Sequence, residues 1–314
     1  MQNFLFILQS VTPVFLIMFL GIALKRARII NDRFVTDSSR LVFNVSMPVL
    51  IFLKLSDIDF NEVFRLGQML YLYAATGIAV ALIWLFARRT IPEDRDKGAF
   101  IQGAFRSNFA IVGLAVILNL FGEEALGKAA MVLAVMLPFH NLLSVVILTV
   151  SASPESKLEW KTILCRVLKN PLIIAAAAAT VFAVLEIPLH AIFIKTGDYL
   201  AALTLPLALL GIGGSFNLHE MKHASRAAFA AAGVKLILLP AAGTWGAVCA
   251  GMRDLDLAVV FVLFAAPTAI ASFVMARAMG ANSRLAGNIV IISTFGAVIT
   301  LTLGLTLLKS CGLI

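Results

Sequence analysis

GAFRSNFAIVG, residues 103–113, sets Arg106, Ser107 and Asn108 side by side inside an otherwise apolar segment. A run of that kind reads as part of a helix that crosses a membrane. An arginine in mid-span costs about 2.5–3.5 kcal/mol on insertion scales, so something must compensate it. All 17 acidic residues lie in loops or near span ends, which leaves no deep carboxylate of the chain as its partner.

The surroundings agree with a membrane. The chain has 314 residues, 61% hydrophobic and 13% charged, and a mean hydropathy of +0.99. Soluble domains carry about a quarter of charged residues, so length here is counted in spans of about 20 residues. The net charge of +8 is better explained by orientation in lipid than by nucleic acid. Cys165, Cys249 and Cys311 show no C-x-x-C spacing and read as inert, with neither a disulfide frame nor a metal site. MQNFLFILQSVTPVFLIMFLGIALKR (1–26) lacks a basic start, and its positive charges follow its apolar run. It reads as a retained first span rather than a signal peptide.

Ten spans are expected, at 4–24, 37–54, 67–87, 98–121, 127–150, 171–189, 192–214, 227–250, 257–277 and 285–308. Helices are the default, because a lipid-facing backbone must satisfy its own hydrogen bonds. The second span opens on polar residues, and the seventh contains Lys195 and Asp198. Seventeen basic residues, among them Lys25, Arg26, Arg88, Arg89, Arg95, Arg277 and Arg284, fall on one side of this arrangement. Six fall on the other: Lys54, Arg65, Lys128, Lys195, Arg253 and Lys309. The positive-inside rule then puts both termini outside and the 151–169 connection in the cytoplasm.

A shift of 158 residues lays Pro13 on Pro171, Pro48 on Pro206 and Gly122 on Gly280, and drops span upon span through five pairs. Five is odd, so the second half enters the membrane the opposite way. The expected fold is an all-α integral membrane protein of two inverted five-helix repeats, 1–150 and 170–314, an architecture of many secondary transporters. In such folds the substrate sits at the midplane, where discontinuous helices meet. Pro267 lies about 11 residues, ~16 Å, from Asp256 at one face, and Arg106 about nine residues, ~14 Å, from Lys97 at the other. Under the shift Asn108 falls within one residue of Pro267. Spans 4 and 9 are therefore expected to break at one depth and face each other, with Ser107, Asn108 and Thr268 free to bond exposed backbone or a ligand. Pro48, Pro206 and Pro240 mark further expected irregularities.

The motifs R-S-N-x-x-x-x-G (106–113), V-K-L-I-L-L-P (234–240) and A-P-T-A-x-A-S (266–272) resemble the auxin efflux carrier family. That family includes plant PIN auxin exporters and bacterial malate and malonate permeases. The resemblance covers essentially the whole chain. It implies a scaffold of spans 1, 2, 6 and 7 and a mobile core of spans 3–5 and 8–10, moving as an elevator with substrate at the crossing of spans 4 and 9. The chain lacks the long central loop of the plant members and has R-S-N where they carry a proline-containing Asn motif. The bacterial dicarboxylate branch, resident in the cytoplasmic (inner) membrane, is the closer likeness.

Arg106 then has two roles open to it: to meet a substrate carboxylate, or to bind helix carbonyls freed at the break. Lys235, equally deep, reads as a brace on backbone carbonyls near Pro240. His140, in LPFHN (137–141), is a structural hydrogen-bonding group or a proton carrier, and Asn141 offers a second polar contact. HEMKH (219–223) spells a zinc-protease motif. Its third ligand is missing downstream, where only Asp254 and Asp256 remain as acids, and it falls in a short polar turn. Ser46, Thr268, Ser272 and Thr294 are too ordinary to mark a sodium site. The expectation is a secondary transporter of small organic anions, not an enzyme, without cofactor and directed outward. An ion-coupled importer of the same fold is the alternative, and the sequence leaves open whether the chain pairs into a homodimer.

Overall fold

The computed structural model describes residues 2–57, 64–152, 168–216 and 225–314. Among them the chain is helical, with no sheet beyond a single bridge between Ser107 and Thr268. In chain order the helices are α1 (Gln2–Arg26), α2 (Asp32–Ser56), α3 (Leu66–Thr90), α4 (Asp94–Phe105), α5 (Phe109–Phe121) and α6 (Glu124–Ala152). There follow α7 (Pro171–Val184), α8 (Ala191–Ser215), α9 (Arg226–Cys249), α10 (Asp254–Ala265), α11 (Ala271–Ala278) and α12 (Ser283–Ser310). Seven of these, α1, α2, α3, α6, α8, α9 and α12, are long and apolar enough to cross a membrane. A helix of 25 residues, such as α3, reaches past a ~30 Å hydrocarbon core.

Helix starts follow side-chain chemistry. Asn31, Asn170, Ser225 and Asn282 each accept a hydrogen bond from a first-turn N–H, and Pro171 fills the first position of α7, where no N–H is needed. The prolines expected to break helices behave more mildly. Pro48 and Pro240 sit just past π-helical turns, Val42–Ser46 in α2 and Val234–Leu238 in α9, and both helices continue. The widened turn absorbs the clash between the proline ring and the carbonyl four residues back. Pro206 follows a one-residue interruption of α8 at Leu203.

The second half of α8, Thr204–Ser215, packs on α1, and α7 packs on the second half of α2. The α1–α8 approach is close. A Cβ on Gly213 would run into the Met18 carbonyl, and one on Gly21 into the Leu210 carbonyl. Small residues let membrane helices approach backbone to backbone. Gly213→Leu should therefore separate α1 from α8 and cut the yield of folded protein, read by size-exclusion profile after detergent extraction. The conservative Gly213→Ala should fall between the two.

Helices α3, α4, α6, α9 and α12 share a second cluster that includes Ile83, Phe100, Phe105, Ile147, Ala228 and Ile289. At the basic end, Asn282 Nδ2 donates to Asp96 Oδ1 at 2.7 Å. At the other end, Asp256 at the start of α10 pairs with Lys128 of α6, and with Arg65 before α3 at 3.3 Å. Asp256 and Lys128 are nearly buried, so removing one leaves the other uncompensated, at a cost of roughly 3 kcal/mol. Asp256→Ala should lower the melting temperature by several degrees, and an unchanged value would deny this cluster its clamping role. The Lys54–Glu123 pair, 2.9 Å, links α2 to the turn before α6. Its hydrogen bond and charge hold the Glu123 carboxyl below the usual carboxylate range, yet so exposed a pair adds little stability.

Candidate functional site

Helix α4 ends at Phe105 and α10 at Ala265, and each is followed by a short non-helical stretch before α5 and α11 begin. Pro267 has no N–H to continue α10, and Arg106 turns to an extended backbone, φ −72° and ψ 117°. The two stretches run antiparallel and bond to each other. The Asn108 N–H donates to the Pro267 carbonyl at 2.7 Å, and the Ala269 N–H to the Arg106 carbonyl at 3.2 Å. Thr268 locks the pair: its hydroxyl donates to the Gly103 carbonyl at 2.7 Å, and its N–H to Ser293 Oγ at 3.0 Å. Part of the backbone freed by two broken helices is thus satisfied by the opposite stretch, as a site shielded from water favours.

Two helix N-termini, of α5 and α11, begin at this crossing, and such ends favour negative charge. Arg106 sits among them, 5% exposed. Its Nη1 donates to Met275 Sδ at 2.7 Å and its Nη2 to Asn141 Oδ1 at 2.6 Å. Both acceptors are neutral, and a thioether is a weak one. Among the described residues no carboxylate lies within ion-pairing distance of the guanidinium, and none of its hydrogen bonds goes to a helix carbonyl. The Ser107 hydroxyl is enclosed without a partner, and Asn108 is buried beside it.

A family profile described as membrane transport protein matches residues 6–305. The chain belongs to that family. It is the auxin efflux carrier family. The transporter is similar along its length to an uncharacterized transporter of Methanothermobacter thermautotrophicus, 23% identical over 296 residues, which covers 94% of this chain and 96% of the relative. An uncharacterized transporter of Methanocaldococcus jannaschii is 22% identical over 310 residues, 96% of this chain and 99% of its own. Seven long apolar helices and this membership make the chain a multi-pass membrane protein.

Of the residues singled out in the sequence, Arg106, Ser107, Asn108, Pro267 and Thr268 meet at the crossing of this transporter, and Asn141 reaches it through Arg106. His140 packs edge-to-face on Phe105, 5.7 Å between ring centres. Lys235 donates to the Phe264 carbonyl, on α10, at 2.7 Å. Pro48, Pro206 and Pro240 take no part in the bridge. Met275 and Ser293 had no signal in the sequence, since a thioether or a lone serine in an apolar helix is unremarkable. Gln102 and Asn288 carry one: both are polar residues deep in apolar segments, and each keeps a buried side-chain oxygen without a partner.

A cavity of about 1300 Å³ opens elsewhere, at the Lys54–Glu123 end, among α1, α2, α5, α6, α7 and α8. Asp57, Asn119, Glu186 and Asp198 also line it. It contains none of the crossing residues; on α5 it stops at Ala115, seven residues beyond Asn108 or about 10 Å along the helix. HEMKH (219–223) lies outside the described residues. Among those described, no cluster of His, Cys, Asp and Glu is placed to hold a metal ion.

Proposed function

We propose that this transporter carries small organic anions, carboxylates of the malate and malonate kind, across a bacterial cytoplasmic membrane by alternating access, in the outward direction. One observation carries the proposal: the buried Arg106 guanidinium has only neutral acceptors and stands where two helix N-termini converge. A substrate carboxylate supplies the missing negative charge, and a planar guanidinium suits it because two N–H groups meet two oxygens. Ser107 and Asn108 add a hydroxyl and an amide within the same few ångströms of chain. The anion brought to the site therefore completes a charge balance that the protein leaves open.

The ten-span inverted repeat belongs to the same reading. Shifted by 158 residues, α2 falls on 190–214, α3 on 224–248 and α6 on 282–310, each within two residues of α8, α9 and α12. The antiparallel bridge, one arm from each half, supports opposite entry into the membrane. The mutual packing of α1, α2, α7 and α8 supports their grouping as scaffold, with α3–α6 and α9–α12 as the mobile core. The cavity lies between these groups on the side that the positive-inside rule puts outside, so this conformer is read as outward-open with both termini outside.

Counterflow into proteoliposomes, with a panel of labelled mono- and dicarboxylates, tests the proposal. Saturable exchange of malonate or malate is expected. Exchange of a neutral solute with no carboxylate exchange would overturn it. Asn108→Ala should abolish counterflow while insertion stays normal. Alanine keeps the N–H that bonds Pro267 and removes only the side chain, so wild-type rates in this variant would move the site elsewhere.

A further inference from the structure

Six basic residues stand on the sparsely charged side of the chain, and five of them have visible tasks. Arg65 and Lys128 meet Asp256, a cluster that stays within α3, α6 and α10. Arg253 donates to the Val248 and Met252 carbonyls of its own turn. Lys54 and Lys309 instead reach from one group of helices to the other. Lys54, on α2, donates to Glu123 in the turn between α5 and α6 at 2.9 Å. Lys309, in the last turn of α12, sits 3.7 Å from the centre of the Phe6 ring on α1. One ammonium thus runs from the α1, α2, α7 and α8 group to the other helices, and one runs back. A neutral contact, Asn119 Nδ2 to the Ser10 carbonyl at 3.0 Å, joins α5 to α1 beside them.

Helices α1 and α12 pack against each other and are matched at two depths. Phe19, thirteen residues beyond Phe6 on α1, stacks on Phe295, fourteen residues before Lys309 on α12, with 5.7 Å between ring centres. The two contacts are therefore about 20 Å apart on either helix. A slide of α12 along α1 by one turn, about 5.4 Å, would separate both. Exposed ion pairs and cation–π contacts add little against unfolding. A contact made in only one of two conformers nonetheless shifts their ratio by its full worth.

We propose that Lys54 and Lys309 form a two-point clasp at the rim, which biases the transporter towards the conformer described above. Both contacts part when the core moves against the scaffold. The division into core and scaffold rests on the proposed function; the two contacts do not.

A thiol at position 212 reads the clasp. Leu209, Ile212 and Phe216 share one face of α8. Leu209 lines the cavity and Phe216 meets Phe295 of α12 at 5.8 Å, so Ile212, 3% exposed, faces the core between them. In full-length protein with Cys165, Cys249 and Cys311 replaced by serine, Ile212→Cys should react with N-ethylmaleimide in proportion to the fraction open on the inner side. Lys54→Met and Lys309→Met should each speed the reaction about two- to fivefold, and together by the product. Glu123→Gln should match Lys54→Met and add nothing to it. The exchange of Lys54→Glu with Glu123→Lys should return to the wild-type rate, and Arg65→Met, whose ion pair stays within the core, should leave that rate unchanged. An unchanged rate in either lysine variant, a charge exchange that stays fast, or an equal gain from Arg65→Met would each overturn the clasp. Joining Lys54→Cys to Glu123→Cys with a short bismaleimide should stop malonate counterflow. Undiminished counterflow in fully cross-linked protein would overturn the parting of the contacts. Absence of counterflow before cross-linking would strike the transport reading, while the labelling series still decides the clasp.

Discussion

Arg106→Gln is expected to weaken binding of malonate by roughly ten- to a hundredfold and to leave its uncharged analogue malonamide almost unaffected. The figure follows from about 1.5–3 kcal/mol for a hydrogen bond to a charged group. Glutamine keeps an N–H donor near Asn141 and Met275 but carries no charge, so the comparison isolates the electrostatic part of the contact. Competition against labelled substrate in counterflow measures both ligands under one condition. Equal losses for the two would mean that Arg106 only holds α4, α6 and α11 together through its two neutral acceptors.

Voltage should act on a larger scale. An anion moving down its own electrochemical gradient is favoured outward by an interior-negative potential, by about 2.3 kcal/mol per charge per 100 mV. That is near fiftyfold in the equilibrium ratio for a monoanion, and more for a dianion. Proteoliposomes loaded with substrate and clamped with potassium and valinomycin should release it when the inside is negative and retain it when the inside is positive. A pH step alone should do little, because the acidic residues of the sequence fall in loops or near the ends of the expected spans. Accumulation driven by a proton gradient at zero voltage would exclude uniport, and His140, packed on Phe105 beside Arg106, would be the first group to replace.

The sequence shows its helices because apolar runs of 20 or more residues have one stable form in lipid. The polar triplet 106–108 and Pro267 likewise announce interruptions, since both act on the backbone within a residue or two. The span expected at 171–189 is shorter, ending at Val184: Glu186 takes a positive φ of 50° ahead of Pro188, which disfavours a helical residue before it. Partners across helices were the illegible part. Lys235 reads as a brace on backbone carbonyls, but the carbonyl it meets, Phe264, lies 29 residues along the chain on α10, where no local pattern names it. Met275 became the acceptor for Arg106 through a crossing of helices that no local pattern encodes. The cavity at the Lys54–Glu123 end was equally hidden, because it is a gap between packed groups of helices and has no motif of its own.

An anion bound at the crossing of the two broken helices, against Arg106, can be seen directly. Crystals grown with bromomalonate and measured at the bromine absorption edge locate the ligand without reference to any rate. An anomalous peak is expected beside the Arg106 guanidinium, between the starts of α5 and α11, and its loss in Arg106→Gln. A peak confined to the cavity of Lys54, Asp57 and Glu123, in protein that exchanges malonate, would contradict it.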